Sequence, residues 1–206
     1  MRKAVRLKSV FKSKRNEVSL QDGIVVKKLK TPGAARLEYE FLSQLYLQGV
    51  PVPKAKLAGL LTIQLEYIDG VPLPDYLDEI ERNGDAELIN KVADALAEWL
   101  VIFYKAVDHK ESGEIRGDIN GRNFLYADGL FYGVDFEEHC YGDIEQDIGR
   151  LIAFATTYNP PDTTVKLAFA ERFNKAMGKK IQLNESLVQE YRLQELASMN
   201  VRRRSR

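Results

Sequence analysis

The sequence predicts an α+β protein in which a small antiparallel sheet precedes a larger helical part. Short apolar runs separated by turn residues fill the first part of the 206-residue chain, which is typical of strands. From Asp85 onward, apolar residues recur at spacings of three or four, which is typical of helices. An extended crossover at about residues 66–74 separates the two patterns, so we expect two lobes, residues 1–68 and 69–206.

Turn residues and prolines delimit the elements of the first lobe. Asp22-Gly23 is a hairpin signal between two apolar runs, and Asp69-Gly70 closes the last strand. Thr31 and Pro32 mark a helix start, because proline lacks only an N–H that would be unpaired there. The expected elements are strands at 4–11, 17–20 and 24–29, a helix from Thr31 to Gln48 that Gly49 ends, an extended run at 49–53 and a strand at 60–68.

The second lobe is expected to begin with a long helix from Asp85. Its core-facing stripe consists of Leu88, Val92, Leu96, Leu100 and Phe103. The other expected elements are a hairpin of strands 123–126 and 130–136 around Ala127-Asp128-Gly129, and helices from Ile144 with breaks at Asn159-Pro160-Pro161 and at Gly178.

The composition indicates an ordinary globular protein and excludes several classes. Apolar residues make up 45% of the chain and charged residues 29%. Cys140 is the only cysteine, and with two histidines the chain cannot form a disulfide framework or a Cys/His zinc site by itself. No apolar stretch approaches the roughly 20 residues of a membrane span, and no apolar segment follows the basic start as in a signal peptide. We therefore expect a reduced, cytoplasmic protein with no membrane partner.

A formal net charge of +0 conceals a strong polarity along the chain. Residues 1–30 carry ten basic and two acidic side chains, whereas residues 66–150 carry seven basic and 21 acidic ones. The basic first segment could bind polyphosphate and the acidic second segment could bind metal ions, although solvated surface of either sign would also explain the charges.

Three oxygen-bearing side chains follow one another around the predicted hairpin of the second lobe. Asp118 precedes Asn123 by five residues at the mouth of this hairpin, and Asp135 follows at its end. Magnesium favours a few protein oxygens, with phosphate and water completing its octahedron. Phosphoryl transfer depends on positioning and charge neutralisation, so this set suits that chemistry.

The segments Arg116-Gly117-Asp118-Ile119-Asn120-Gly121-Arg122-Asn123 and Val134-Asp135-Phe136-Glu137 resemble motifs of the protein-kinase-like superfamily. The resemblance implies a two-lobed kinase-like fold and a reaction with ATP and Mg. It implies that Asp118 is the catalytic base, that Asn123 and Asp135 hold the metal, and that Asp147 braces the catalytic loop.

The same resemblance assigns nucleotide-binding residues in the first lobe. Lys27, which follows the apolar run Ile24-Val25-Val26, resembles the strand lysine that holds the α- and β-phosphates, with Lys28 as the alternative. Glu38 resembles the helix partner of that lysine, with Glu40 as the alternative. Backbone groups near Glu66 and Ile68 resemble the hinge that pairs with adenine. The resemblance spans about residues 5–157 and is most specific between Asp118 and Asp147.

The chain departs from the family pattern at several points. Residues 12–16 place basic side chains where relatives have a Gly-rich loop, Arg116 replaces a histidine, and Glu137 replaces a glycine. Only 12 positions separate Asp135 from Asp147, too few for a long activation segment.

Arg122 is a further catalytic candidate, because a guanidinium beside the transferring phosphate would neutralise its charge.

The phosphate acceptor stays open at this stage. The small size resembles RIO-type kinases and the kinase/ATPase subunit of the KEOPS complex, whereas the motifs also resemble aminoglycoside and choline phosphotransferases. We expect an atypical serine/threonine protein kinase, with a small-molecule hydroxyl acceptor as a close alternative. A nucleotide-binding pseudokinase adaptor and a protein that docks on RNA or another anionic partner through Arg202–Arg206 are the rivals from other classes. Each motif alone has a bland explanation as turn, helix cap or solvated charge, and only the ordered set favours the kinase interpretation.

Overall fold

The computed structural model describes residues 9–11 and 16–204. The beginning of the first predicted strand, most of the basic 12–16 turn, Ser205 and Arg206 lie outside these residues. The chain divides into two compact units, Met1–Asp69 and Gly70–Arg206.

The first unit contains one antiparallel sheet and one helix. The strand order in the sheet is β1-β2-β3-β5-β4, so β3 lies at its centre. The elements are β1 (Ser9–Phe11), β2 (Glu17–Gln21), β3 (Ile24–Lys28), α1 (Ala34–Leu47), β4 (Ala55–Leu57) and β5 (Thr62–Glu66).

The register of β3 determines which of its two lysines is buried. Asp22 and Gly23 adopt positive φ angles of 51° and 80°, which form the tight hairpin turn that the sequence predicts between β2 and β3. Both lysines pair with β2 and β5, but their side chains point to opposite faces of the sheet, so Lys27 is buried and Lys28 is exposed.

Helix α1 starts two residues later than the prediction from Pro32. Gly33 at its N-cap has a φ of 87°, in the left-handed region, so Pro32 lies before the helix and Ala34 begins it. The helix ends before Gly49, as expected, where a φ of 80° turns the chain. The buried face of α1 consists of Ala35, Glu38, Phe41, Leu42 and Leu45.

The second unit is mainly helical and carries two short sheets. A three-stranded sheet has the order β6-β8-β9, and a two-stranded ladder joins β7 to β10. The elements are β6 (Val71–Pro72), α2 (Leu73–Asn83), α3 (Ala86–Ala106), α4 (His109–Ser112), β7 (Glu114–Ile115), a 3-10 helix (Gly121–Asn123), β8 (Phe124–Ala127), β9 (Leu130–Gly133), β10 (Cys140–Tyr141), α5 (Ile144–Thr157), α6 (Thr164–Lys180) and α7 (Glu185–Arg204).

An aromatic cluster connects α3 to the hairpin. The Trp99 ring is 5.1 Å from Phe124 and 5.5 Å from Phe103, measured between ring centroids. A Cβ atom at Gly133 would lie 2.3 Å from the indole, so only glycine fits at this end of β9. This packing fixes the hairpin that carries the candidate site.

The second unit differs from the predictions at α2, β9 and α6, and β6, α4, β7, the 3-10 helix and β10 were not predicted. Helix α2 was not predicted, because the extended crossover was expected to run to about Pro74; this proline instead lies in the first turn of the helix, where it is tolerated. Strand β9 ends at Gly133 rather than at Phe136, and α6 continues through Gly178 to Lys180. Among the described residues, no helix combines the length and apolarity that crossing a bilayer requires.

Candidate active site

Asp118 and Asn123 are held together by the 3-10 helix and the loop before it. Asn120 caps this short helix, and its side-chain oxygen accepts a hydrogen bond from the Arg122 backbone N–H at 3.0 Å. The Asn123 backbone N–H donates to the Asn120 carbonyl at 2.9 Å. The Asn123 amide Nδ2 donates to the Asp118 carboxylate at 3.0 Å and to its carbonyl at 3.3 Å. The two motif residues are therefore direct neighbours.

The strand ladder brings Asp135 to the same end of the hairpin. The Val134 backbone N–H donates to the Asn123 carbonyl at 2.9 Å, just beyond the pairing of β8 with β9. Asp135 is exposed and has a φ of 62°, which an aspartate tolerates better than a bulky residue. Because Nδ2 of Asn123 is used by Asp118, its amide oxygen is the atom suited to a metal. Together with the Asp135 carboxylate, it offers the hard oxygen ligands that fit a divalent cation such as Mg²⁺.

Arg116 connects the loop that carries Asp118 to the Asp135 segment. Its side chain is fully buried, and Nη2 donates to the carbonyls of Val134 and Asp135 at 2.6 Å each. The guanidinium carbon lies 4.2 Å from the centroid of the Phe136 ring. The arginine thus clamps the backbone on both sides of the Val134–Asp135 peptide bond. These bonds also explain why β9 stops early, since the carbonyls after Gly133 bind Arg116 instead of a strand.

Asp147 on α5 holds the loop at Arg116 and Gly117 through hydrogen bonds. One carboxylate oxygen accepts from the Arg116 backbone N–H at 2.7 Å and from the Tyr104 hydroxyl at 3.0 Å, and the other accepts from the Gly117 N–H at 3.0 Å. Burial raises the pKa of Asp147 above its usual value, while the three donors and the Arg116 charge oppose this shift. Burial also raises the pKa of Tyr104 well above its usual range, so its hydroxyl stays a donor.

Gly117 is required by the backbone next to Asp118. Its φ is 74°, and an added Cβ would lie 2.3 Å from the Glu138 carbonyl oxygen and 2.9 Å from Cys140 Sγ. The ladder between β7 and β10 produces this close approach, because it pairs the chain before Gly117 with the chain after Glu138.

Arg122 is exposed and engaged with neighbours of the same unit. Its guanidinium lies 3.3 Å from the Asp75 carboxylate on α2 and 5.8 Å from the centroid of the Tyr158 ring. The Tyr158 hydroxyl donates a hydrogen bond to the Asn120 side-chain oxygen. Burial raises the pKa of Tyr158 to about 12, against the opposing charge of Arg122. The sequence did not indicate Asp75, Tyr104 or Tyr158, since no local pattern links them to the motif.

The first unit contains a buried ion pair between two predicted residues. Lys27 Nζ lies 2.8 Å from Glu38 Oε1, and the two side chains are only 5% and 2% exposed. Of the alternatives, Lys28 lies 3.9 Å from Glu17 and Glu40 lies 3.8 Å from Arg36, both on the exposed surface. The geometry of a charged pair this well shielded from water is strongly constrained, whereas exposed pairs contribute little to stability.

The remaining predicted residues lie at the end of β5 and on α7. Glu66 is the last residue of β5, where its backbone N–H donates to the Lys54 carbonyl at 2.9 Å, and Ile68 is half-buried two residues later. Arg202 donates to Glu195 at 2.6 Å, and Arg203 donates to the Thr157 carbonyl at 3.2 Å. These two arginines are thus engaged within the chain.

Comparisons with known proteins identify the fold. No protein-family model and no curated protein sequence matches the chain. Among solved structures, the amicoumacin kinase hAmiN in complex with AMP-PNP, Ca²⁺ and Ami has a TM-score of 0.59 and 14% identity, and the match covers 87% of this chain and 74% of that one. The gentamicin complex of APH(2'')-IIa has a TM-score of 0.63 and 12% identity, with 92% and 80% covered. The ADP-bound aminoglycoside phosphotransferase APH(2'')-Ib has a TM-score of 0.59 and 10% identity, with 94% and 93% covered.

These matches confirm the predicted fold class. The chain is an α+β protein with a small antiparallel sheet and a helical part, and it shares this fold with the solved amicoumacin kinase and aminoglycoside phosphotransferase structures.

Proposed function

We propose that this protein is an ATP-dependent phosphotransferase that moves the γ-phosphate of ATP to a hydroxyl group. The observation that carries the proposal is the direct contact of Asp118 with Asn123, at the hairpin end where Asp135 also lies. A turn former has no need of all three residues in this order, whereas metal-assisted phosphoryl transfer does.

Each residue has a role in this proposal. Asp118 accepts a hydrogen bond from the acceptor hydroxyl and orients it, and later takes its proton. The Asn123 amide oxygen and the Asp135 carboxylate hold Mg²⁺, which neutralises phosphate charge when bound. Asp147 fixes the loop through the two backbone N–H groups that it accepts.

The first unit supplies the nucleotide-binding residues. Lys27 is proposed to bind the α- and β-phosphates, with Glu38 holding its ammonium at 2.8 Å. Backbone groups near Glu66 and Ile68 are proposed to pair with adenine. We place the reaction in the cytoplasm, where ATP is available.

For the acceptor we favour a small molecule with hydroxyl groups. The solved structures that share the fold are named as an amicoumacin kinase and aminoglycoside phosphotransferases. Helices α5, α6 and α7 follow the candidate site, as the patterns from Ile144 predicted, and are the part of the chain that could build a substrate surface there. The serine/threonine protein acceptor stays a prediction, and the same experiment decides between the two.

The central experiment incubates the protein with γ-labelled ATP, Mg²⁺ and either a panel of small hydroxyl compounds or cell proteins. We expect label in a small molecule, and we expect Asp118→Asn and Asp135→Ala to abolish transfer. Asp135→Ala should also weaken binding of metal-nucleotide, because it removes a ligand carboxylate. Asp128→Asn, a change of the same type at an exposed hairpin turn, is the matched control. Parent-like turnover in either site variant would refute the proposal, and nucleotide binding without any transfer would favour the adaptor.

Arg122 has a separate test. If its guanidinium stabilises the transferring phosphate, Arg122→Ala lowers kcat more than it weakens ATP binding. Asp75→Asn is the informative partner, since it releases Arg122 from its ion pair without removing the positive charge. An unchanged kcat in Arg122→Ala would remove the catalytic role.

A further inference from the structure

A buried lysine fixes the segment that follows α5. Lys166 on α6 is fully buried, and its ammonium lies 2.9 Å from Asp78 Oδ1, 2.9 Å from the Pro160 carbonyl and 3.4 Å from the Tyr158 carbonyl. An ammonium removed from water requires such acceptors, and it has three N–H donors for the three. Lys166 therefore holds the backbone at Tyr158.

The side chain of Tyr158 contacts the catalytic loop. Its hydroxyl donates to Oδ1 of Asn120, and the same oxygen accepts the Arg122 backbone N–H at 3.0 Å. A carbonyl oxygen has two lone pairs, and these two bonds use both. The Tyr158 ring also lies beneath the Arg122 guanidinium.

We propose that Tyr158, held in place by Lys166, is a positioning residue for phosphoryl transfer, acting through Asn120 on the loop that carries Asp118 and Asn123. This inference rests on the proposed function. Asn120 caps the 3-10 helix that ends at Asn123, so its side chain sets the direction in which this helix leaves the loop. A shift of about 1 Å in a catalytic group lowers turnover by roughly 10²-fold, so a modest rotation of Asn120 has a measurable effect.

The electrostatics of the hydroxyl agree with this role. A tyrosine hydroxyl is protonated at neutral pH and can donate to Asn120, and burial, which raises the pKa of Tyr158 to about 12, extends this range to higher pH.

The test is Tyr158→Phe, which keeps the ring and removes only the donor. Turnover should fall by about tenfold or more while KM for ATP stays within about twofold, because ATP ligands are unchanged. Tyr191→Phe is the matched control, since it removes one tyrosine hydroxyl that donates to Asp143 at 2.8 Å, outside the loop. The control should leave turnover within about twofold of the parent. A Tyr158→Phe protein with parent turnover would overturn the proposal.

A double-mutant cycle separates positioning from general stability. If Tyr158 acts through Asn120, then Tyr158→Phe causes no further loss of turnover in an Asn120→Ala background. Independent, multiplicative losses would contradict this route.

A second readout does not need activity. By amide hydrogen exchange in the full chain, Tyr158→Phe should accelerate exchange of the Arg122 N–H by about tenfold or more, and Tyr191→Phe should not. If the parent transfers no phosphate, the proposed function fails, and the exchange rate of Arg122 still decides whether Tyr158 orders the loop. Unchanged exchange would overturn the inference.

Discussion

Asp147→Asn is the sharpest test of how the loop is held, because it changes charge and donor pattern but hardly any volume. The carboxylate accepts three hydrogen bonds, from the backbone N–H groups of Arg116 and Gly117 and from the Tyr104 hydroxyl. An amide offers only one oxygen, so its NH₂ group must face at least one N–H donor.

The cost follows from these contacts. Hydrogen bonds to a charged acceptor contribute about 1.5–3 kcal/mol and those to a neutral one about 0.5–1.5, so the two retained bonds weaken by about 1 kcal/mol each. The donor that loses its acceptor adds about 1–3 kcal/mol. Relief from burying a charge, the same effect that raises the pKa of Asp147, offsets part of this loss. The net destabilisation is about 2–4 kcal/mol.

Urea unfolding followed by the fluorescence of Trp99, the single tryptophan, measures this effect in the unit that contains Asp147. Asp128→Asn is the matched control, because its exposed position at a φ of 50° suits asparagine, and we expect a change within about 0.5 kcal/mol. A difference between the two variants of under about 0.5 kcal/mol would refute the bracing role of Asp147.

Three further outcomes follow from single contacts. Gly117→Ala should destabilise by more than about 2 kcal/mol, because its Cβ would meet a backbone carbonyl at 2.3 Å, whereas Gly129→Ala, at a similar φ in open space, should cost about 1 kcal/mol in the same unfolding assay. The pKa of Tyr158 is higher in the folded than in the unfolded protein. Its contribution to stability is therefore complete below pH 10 and is lost as the pH rises toward 12. The difference in unfolding free energy between parent and Tyr158→Phe should shrink by up to about 2–3 kcal/mol between pH 9 and 12. Thr163→Ala should cost about 0.5–1 kcal/mol by loss of the α6 cap, and Thr163→Ser should restore it on thermal unfolding.

Local signals were sufficient for most elements of the chain. The Asp22-Gly23 turn fixes the register of β2 and β3, and the apolar spacing of α3 predicts a helix that runs from Ala86 to Ala106. Asp118 and Asn123 are five positions apart, and the sequence predicted that they lie close together. The 3-10 helix that ends at Asn123 explains why this separation makes them neighbours.

Competition between local preference and tertiary burial explains the elements that were mispredicted. The extended crossover was expected to run to about residue 74, yet Leu73, Leu77 and Ile80 lie at helical spacing and are buried. Gly178 suggested a break, yet a glycine within a helix costs only about 1 kcal/mol, which the buried residues around it outweigh.

The long-range contacts of two tyrosines could not be predicted. Tyr158 and Asn120 are 38 positions apart, and Tyr104 and Asp147 are 43 apart. Neither tyrosine lies in a motif, and only the packing of α3 and α5 around the loop brings them to it.

The double attachment of Arg116 has a consequence for how the protein opens. Its backbone is tied to the carboxylate of α5, and its guanidinium is tied to the segment that ends the hairpin. Neither segment can detach without breaking bonds to Arg116, so we expect both to belong to one cooperative folding unit with a shared opening free energy. Partial unfolding would thus disorder the Asp118 loop and the Asp135 segment together, with no intermediate in which only one of them is ordered.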